Sequence, residues 1–429
     1  MHRSGGSRYF LAVAAICFVI LIARAPQAVI NPVLHGEDGT ILFADFYNGY
    51  GLKALFHFYS GYIAALPRLC AYLIAYFPTA WMPHLLVLAP MAVTALAFAL
   101  FALPAFRKFV ESDLQRAAIC VGLAAMPLGN AAKIGVTGYI QWPAGIILCV
   151  FLLSEATVSL TTIPGAALFA ALVVLIWSNP VAVVLAPLFL YEAFRRRAAD
   201  RPAALFHLLL FGACVLYASF GREASVGPRS IDTLGASTAT LRAIVERVIY
   251  ETVVGPYSRM ELIGGGRGYL IHLVAAIVIA GSVAALRARL RDSTDFRRFA
   301  AKSLYMIGAI TLLSAVFRTV DLDTVWGRRY TYIQAFLFAL ILLIAVTDLL
   351  KAVLARRHRW AAAATALCVA AWLGWVNVRN NHLYQVDPLE GIRIRTLIEA
   401  IRFAEITKRD MVLKYERGDW PIIVHVRPR

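Results

Sequence analysis

Long apolar runs alternate with short polar stretches along most of the 429-residue chain. An α-helix needs roughly 20 consecutive apolar residues to cross the hydrocarbon core of a bilayer. Some of the runs are shorter than this, but all are candidates for crossing helices: residues 9–30, 61–77, 85–105, 117–130, 142–155, 163–177, 181–194, 204–220, 269–286, 299–317, 330–349 and 360–378. The pattern predicts an all-α polytopic membrane protein.

Clusters of Lys and Arg orient the later half of the chain. Short loops rich in these residues stay in the cytoplasm. The three clusters are Arg195, Arg196, Arg197 and Arg201; Arg287, Arg289, Arg291, Arg297, Arg298 and Lys302; and Lys351, Arg356, Arg357 and Arg359. The loops on the opposite side, and the C-terminal tail, are therefore expected to face outward.

The number of crossings follows from the orientation of the two chain ends. Arg3 and Arg8 precede the first apolar run and predict an inward N-terminus, whereas the tail is expected outside. An odd number of crossings is required, so we expect about 11 transmembrane helices. The segment that does not cross is either 61–77, interrupted by Pro67, or one of the pair 163–177 and 181–194.

The chain is predicted to form a bundle over residues 1–378 and a small extracytoplasmic tail over residues 379–429. The tail contains a helical pattern at 392–406 and a strand-like end at 422–426, and is expected to pack on the outer face of the bundle. The outer loops of the bundle are assigned to residues 31–60, 221–268 and 318–329.

Two outer-loop segments are predicted to be helices in the membrane interface. Residues 41–59 mix aromatic residues with Asp45, Lys53 and His57 and are too polar to cross. Residues 238–254 fit a helix with one wet face, either interfacial or packed as an ordinary loop helix. Its apolar stripe is Leu241, Ile244, Val245, Val248, Ile249 and Val253, and its polar face is Arg242, Glu246, Arg247 and Glu251.

Composition agrees with a membrane protein and decides between two explanations of the charge. Hydrophobic residues make up 60% of the chain, and the mean hydropathy is +0.70. A formal net charge of +17 could indicate nucleic-acid binding, but the basic residues lie mainly in clusters between apolar runs. We therefore expect membrane lipids, and no nucleic acid, among the partners.

Two adjacent carboxylates, Glu37 and Asp38, follow the first apolar run and precede Gly39. Just outside a bilayer, such a pair is either a set of solvated loop charges or the base and ligand of an active site. Gly39 leaves room for a substrate to approach Asp38. We expect Asp38 to act as the base and Glu37 to orient a substrate or a metal ion, although the sequence does not exclude the reverse.

A cationic fork is predicted at Arg328 and Arg329, which precede Tyr330 and follow Asp321 and Asp323. Planar guanidinium groups match phosphate or pyrophosphate, and the alternative is an internal Arg–Asp ion-pair network. For Arg68, inside an apolar run, the alternative to a functional role is snorkelling to the interface. The further candidates for phosphate contacts are Arg318 and Arg68, and those for other substrate contacts are Tyr62, Gln141, Trp142, Lys133 and Asp45.

Metal ligands are not assigned. His35, His57, His84 and His272 lack the i, i+4 spacing of a helical metal site, and no HExxH motif occurs. A divalent cation is left open as the only candidate cofactor.

The order of these features resembles the bacterial polytopic glycosyltransferases of the GT-C superfamily. The features are the first apolar helix, Glu37-Asp38-Gly39, the aromatic stretch, Gly61-Tyr62, Pro67-Arg68, Gln141-Trp142 and Arg328-Arg329-Tyr330. The resemblance implies a GT-C-like fold in the bacterial cytoplasmic membrane with an extracytoplasmic active face. It also implies a polyprenyl-phosphate-linked sugar donor, a glycan or lipid acceptor, and a catalytic acid at Asp38 or Glu37. A second acid stays open among Asp45, Asp321 and Asp323.

Inverting sugar transfer needs one base for the acceptor hydroxyl and one cation for the departing phosphate, which an acid pair and an arginine fork supply. The alternatives are a transporter or flippase of lipid-linked sugars and a polysaccharide polymerase. A transporter would be expected to show repeat symmetry and charges within its spans. Here the distinctive charges cluster at one face, which favours the enzyme.

Overall fold

The computed structural model describes residues 4–35, 38–48, 51–56, 63–78, 80–126, 128, 135–220, 240–254, 269–322, 331–355, 391–407, 409, 411–413 and 422–424. These residues are mostly helical. The longer helices are α1 (Ser4–Arg24), α2 (Ala65–Ile74), α3 (Met82–Ala99), α4 (Asp113–Ala125), α5 (Gln141–Ser154), α6 (Ile163–Ile176), α7 (Ala182–Arg196), α8 (Arg201–Phe220), α9 (Tyr269–Asp292), α10 (Thr294–Leu322), α11 (Tyr332–Ala355) and α12 (Ile394–Thr407). The strands are β1 (Val33–His35), β2 (Gly391–Arg393), β3 (Met411–Leu413) and β4 (Ile422–Val424).

Five of the described helices are long and apolar enough to cross a membrane: Gly6–Arg24, Met82–Ala102, Thr137–Ser154, Arg201–Ser219 and Tyr332–Lys351. They confirm the prediction of a helical membrane protein at the level of fold class. The count of about 11 crossings is not settled by these five helices and stays a prediction.

Local capping explains where several of the helices begin. Ser112 accepts a hydrogen bond from the backbone N–H of Gln115, and Thr162 does the same for Gly165. Asp200 accepts one from the backbone N–H of Ala203. Each side chain satisfies a donor that the first turn of a helix leaves without an intrahelical partner. The polar residues between apolar runs thus set the starts of α4, α6 and α8.

Hydrogen bonds between helix ends define two ends of the bundle. α1 and α4 run in the same direction, because Tyr9 donates to the carbonyl of Asp113 and Arg24 donates to the carbonyl of Ala124. The chain reaches Asp38 soon after Arg24, and we name this side the Asp38 end. The opposite side, where Glu155, Glu192 and Lys302 meet, is named the Lys302 end.

α2 stays at the Asp38 end, whereas α6 and α7 run between the two ends. The backbone N–H groups of Ala65 and Leu66 bond to Trp177 and Ser178, where α6 has just ended. α3 then starts at the same end, because the carbonyl of Leu86 accepts a bond from the Thr137 hydroxyl. A helix of 10 residues is only about 15 Å long. Of the two candidates for a segment that does not cross, the structure therefore favours 61–77.

The C-terminal tail packs against the chain that leads to Asp38. β1 and β2 pair in antiparallel fashion, with Val33 opposite Arg393 and His35 opposite Gly391. Residues of β1, the first loop, α2, α3 and α12 also share one hydrophobic cluster. Its members are Leu34, Leu42, Phe43, Ala44, Phe46, Ala54, Ala71, Ile74, Met82, Leu86, Leu397 and Ile401. The expected helix and strand of the tail are present as α12 and β4, while a domain boundary at residue 378 stays a prediction.

The first loop is more broken and more buried than the sequence suggests. Within 41–59 the described residues form the end of a π-helix (Asp38–Phe43), an α-helical turn (Ala44–Tyr47) and a 3-10 helix (Gly51–Phe56). Phe43 is fully buried in the cluster shared with α12. The described residues are therefore helical but do not form one continuous helix, and contacts with the tail turn part of the segment inward. Its location in the membrane interface stays a prediction.

The wet face expected for residues 238–254 is present only in part, since Arg242 and Glu246 are 55% and 33% exposed but the other two polar residues are buried. Arg247 and Glu251 are only 8% and 4% exposed, whereas the apolar Leu241 and Val245 are 66% and 51% exposed. The segment Ala243–Tyr250 is wound as a π-helix. Its hydrogen bonds span five residues, so the faces no longer follow the α-helical period from which the stripe was inferred.

A network of buried charges joins the helices at the Lys302 end. Lys302 Nζ lies 2.6 Å from Glu192 Oε1 and 3.0 Å from Glu155 Oε1. The same Glu192 carboxylate accepts bonds from two arginines of its own helix, and Glu155 also pairs with a lysine at 2.9 Å. The Lys302 network is Lys108, Glu155, Glu192, Arg195, Arg196 and Lys302.

The environment of Glu155 favours its charged form. Burial raises the pKa of this carboxyl, but the hydrogen bonds and positive charges of Lys108 and Lys302 outweigh burial and lower the pKa to about 2. The folded state is stabilised by this difference above the ordinary pKa of 4.5, and loses that stabilisation as the pH falls towards 2.

The first prediction concerns sidedness. In a background without the six native cysteines, we introduce single cysteines at the exposed residues Asn31, Arg409 and Asp292. An impermeant thiol reagent added to intact cells should label the first two, because β1 and the tail share one end. The third should label only after permeabilisation. Labelling of Asn31 and Arg409 from opposite sides would contradict the pairing of β1 with β2.

The second prediction concerns acid stability. Glu155→Gln removes one of the two carboxylates whose pKa the Lys302 network lowers, the other being Glu192. The melting temperature of the variant in detergent should therefore fall less steeply than that of the wild type between about pH 5 and pH 3. The exposed Glu111 provides the control, and Glu111→Gln should follow the wild type. Equal slopes for wild type and Glu155→Gln would show that Lys108 and Lys302 do not stabilise the charged carboxylate.

Candidate functional site at the Asp38 end

Asp38 is buried although it lies in a loop. It is the first residue of the π-helix Asp38–Phe43 and is 2% exposed. Its Oδ2 accepts a hydrogen bond of 2.8 Å from the backbone N–H of Thr137, and its Oδ1 accepts one of 2.6 Å from Gly138. We name these three residues the Asp38 clamp. A buried charge of this kind is tolerated because both oxygens are hydrogen-bonded.

The clamp sits at the start of a membrane-crossing segment. Thr137–Tyr139 forms a 3-10 turn that leads directly into α5. The first N–H groups of a helix have no intrahelical acceptor, and the helix dipole favours negative charge there. Asp38 therefore acts as a cap supplied from about 100 residues away in the chain.

Glycine is required where the chain approaches the clamp. Gly135 has φ of +92°, in a region that favours glycine. A Cβ at this position would lie 2.9 Å from Val87 Cγ1, which is too close. The backbone of residues 135–138 can therefore pass close to α3 and present its N–H groups to Asp38.

This same segment lines part of a cavity, and Asp38 itself is not among the lining residues. Its volume is about 40 Å³. The lining residues are Leu21, Arg24, Pro90, Thr94, Phe98, Met126, Leu128, Gly135, Val136, Tyr139, Trp142, Pro143 and Tyr332. Because several of these residues belong to or directly follow the segment that Asp38 holds, the clamp fixes one wall of the cavity.

Arg24 is a buried cation in that wall, and the sequence analysis did not select it. It is the last residue of α1, is 8% exposed and donates from Nη1 to the carbonyl of Ala124. The available signal was an arginine inside the first apolar run, in the part that lies on the side opposite the basic cytoplasmic loops.

Arg68 and Asp45 are brought together. Arg68 Nη1 lies 2.8 Å from Asp45 Oδ2, with side chains 3% and 21% exposed. Arg68 is thus buried and paired, and does not snorkel to the interface. The pair fastens the first loop to α2, and neither residue lines the cavity. A contact of either one with donor or acceptor stays a prediction.

Gln141 and Trp142 both lie at the start of α5 but differ in their relation to the cavity. Trp142 lines it and is 6% exposed. The carbonyl of Gln141 accepts a bond from Asn179, and the buried Gln141 Oε1 has no hydrogen-bond partner among the described residues. Gln141 therefore contributes mainly to the packing of α5 against the chain break between α6 and α7.

Several predicted site residues lie outside the described part of the chain: Glu37, Tyr62, Lys133, Asp323, Arg328, Arg329 and Tyr330. Arg318 and Asp321 are placed on the backbone of α10, but their side chains are outside it as well. The roles of the arginine fork, Glu37 and a second acid accordingly stay predictions. Within the described ranges, no group of three or more His, Cys, Asp and Glu could hold a metal ion.

Comparison with known proteins adds no assignment. No protein-family model matches the chain, and no curated protein matches its sequence. The geometry at the Asp38 end is therefore the basis for a function.

Proposed function

We propose that the chain is a membrane glycosyltransferase of the GT-C type, which moves a sugar from a polyprenyl-phosphate donor to an extracytoplasmic glycan or lipid-linked acceptor. The observation that carries the proposal is the position of Asp38. A buried carboxylate holds the segment that walls a cavity, and a buried arginine lies in the same cavity wall. An acid and a cation at one end of a membrane bundle are the two groups that such a transfer requires.

The proposed reaction is a single displacement. The oxygen of an acceptor hydroxyl attacks the anomeric carbon of the sugar, and the bond from that carbon to the phosphate oxygen breaks. Its electron pair stays on the polyprenyl phosphate, and the hydroxyl proton passes to Asp38. One attack inverts the anomeric configuration, and one base suffices for it. Glu37, one residue earlier, is proposed to orient the acceptor, with or without a divalent cation.

The arginine fork is proposed to act on the same phosphate. Tyr332 lines the cavity, and Arg328, Arg329 and Tyr330 precede it by only a few residues in the chain. A planar guanidinium binds phosphate oxygens in a bidentate manner and stabilises the charge that develops on the leaving group. In this proposal the Asp38 end faces outward from the bacterial cytoplasmic membrane.

A transporter or flippase of lipid-linked sugars is the second candidate, and the Lys302 network favours it. Buried, paired charges among membrane helices commonly lie on transport pathways. In that case the donor would cross the membrane intact and no sugar–phosphate bond would break. The two functions therefore differ in whether free polyprenyl phosphate is produced.

The third prediction tests the base. We expect Asp38→Asn to lower the release of polyprenyl phosphate from lipid-linked sugar donors by a factor on the order of 10² or more, because general-base catalysis is lost. Mass spectrometry of membranes incubated with a panel of polyprenyl-phosphate hexoses and pentoses measures that release without requiring a known acceptor.

Asp200→Asn is the matched control, since Asp200 also caps a helix, at the Lys302 end, with a bond of 3.0 Å to Ala203 N. Asparagine still caps helices well, so this variant should keep wild-type turnover. Melting curves report whether Asp38→Asn remains folded. A folded Asp38→Asn protein with near-normal release would refute Asp38 as the base. If the wild-type protein moves the donor across the membrane without cleaving it, the result would support the transporter function instead.

A further inference from the structure

The cavity beside Arg24 has a shape and charge that the sequence-derived site does not explain. We propose that it binds the phosphate of the lipid-linked donor and that Arg24 contacts this phosphate directly. The inference rests on the proposed function, because it assigns a subsite of the same reaction. It differs from the sequence expectation, which placed phosphate contacts at Arg68 and at the arginine fork.

The volume of the cavity selects the part of the donor that fits. A cavity needs about 10–15 Å³ to hold one water molecule. At about 40 Å³ the cavity holds roughly three, which is close to the size of a phosphate group. A hexose has about twice as many heavy atoms as a phosphate and does not fit. The sugar is therefore proposed to lie outside this space, at the opening of the cavity.

The positive charge of Arg24 is complementary to the negative charge of a phosphate group. A guanidinium group carries five N–H donors in a fixed plane. The bond from Nη1 to the carbonyl of Ala124 orients this plane within the wall. Because Arg24 is only 8% exposed, a charge-assisted hydrogen bond to phosphate is stronger here than at an exposed arginine. Arg68 lacks this access, because it pairs with Asp45 and does not line the cavity.

The apolar surface around the cavity, outside its phosphate-sized space, suits the lipid portion of the donor. Leu21, Phe98 and Leu128 are apolar, and Tyr139, Trp142 and Tyr332 are aromatic. α1 also presents apolar side chains to the surroundings of the bundle, since Ile16 and Val19 are 50% and 62% exposed. In a membrane this face contacts lipid tails. An isoprenoid chain can thus lie along α1 while its phosphate reaches Arg24 at the end of the helix.

Three phosphate-bearing ligands must be distinguished, because each one could meet Arg24. Purified protein in detergent is titrated with polyprenyl monophosphate, phosphatidylglycerol and inorganic phosphate, and native mass spectrometry measures the dissociation constants. The neutral polyprenol reports the contribution of the chain alone. We expect tight binding of polyprenyl monophosphate only, because both the cavity and the apolar wall are then occupied.

The fourth prediction is that Arg24→Gln weakens binding of polyprenyl monophosphate on the order of 10- to 100-fold, as expected for a lost charge-assisted hydrogen bond. Binding of polyprenol should not change. Arg24→Lys keeps the charge without the planar fork and should weaken binding by a smaller factor. Arg8→Gln removes the same charge from the exposed opposite part of α1 and should bind like the wild type.

Wild-type affinity in Arg24→Gln, or equal affinity of the wild type for polyprenol and polyprenyl monophosphate, would overturn the inference. Arg24→Lys keeps the test informative if the glutamine variant fails to fold, because unchanged binding in the lysine variant excludes a bidentate contact. The assay needs no turnover. If phosphate binding depends on Arg24 but the donor is not cleaved, the phosphate site would be supported and the glycosyltransferase function contradicted. If the donor is cleaved but phosphate binding does not depend on Arg24, the function would be supported and the phosphate site contradicted.

Discussion

The capping of α5 by Asp38 is the constraint on which the candidate site depends. Of the five candidate spans, the one that begins at Thr137 has the largest buried share, 83%. Its first N–H groups cannot rely on water, so a carboxylate from another part of the chain satisfies two of them. The positions of Tyr139 and Trp142, and hence the cavity wall, follow from this capping. A glycine at 145, whose Cβ would lie 2.4 Å from Ile333 Cδ1, lets the same helix pack tightly on α11.

The other end of α5 is also held by a carboxylate, but in a different way. Glu155 ends the helix with φ of +53°, a left-handed conformation that costs a residue other than glycine about 1–2 kcal/mol. Its ion pairs with Lys108 and Lys302 offset that cost. The bundle is thus closed by paired charges at the Lys302 end, while the Asp38 end combines a buried acid, a buried arginine and a cavity. This asymmetry places the buried acid, the buried arginine and the cavity together at one end of the bundle.

The sequence predicted the parts of the fold that depend on local composition. Apolar runs identified the membrane helices, and the tail pattern located α12 and β4, because hydrophobic periodicity and length act within one segment. Contacts between distant segments were not predictable in this way. The partners of Asp38 lie about 100 residues away. β1 pairs with a strand near residue 392. Arg24 was missed because it is held by Ala124, which lies 100 residues later in the chain. The faces of 238–254 were misjudged in part because π-helical winding leaves no signature in α-helical spacing.

The central claim is that donor phosphate binds in the cavity whose wall Asp38 holds. A cryo-electron microscopy map of the protein with bound polyprenyl monophosphate tests it most directly. The account predicts phosphate density within hydrogen-bonding distance of the Arg24 guanidinium, next to Tyr139, with the isoprenoid chain along α1 and the cap of Asp38 on Thr137 and Gly138 intact. Phosphate density against the Lys302 network, or beside Arg68 with the cavity empty, would contradict it.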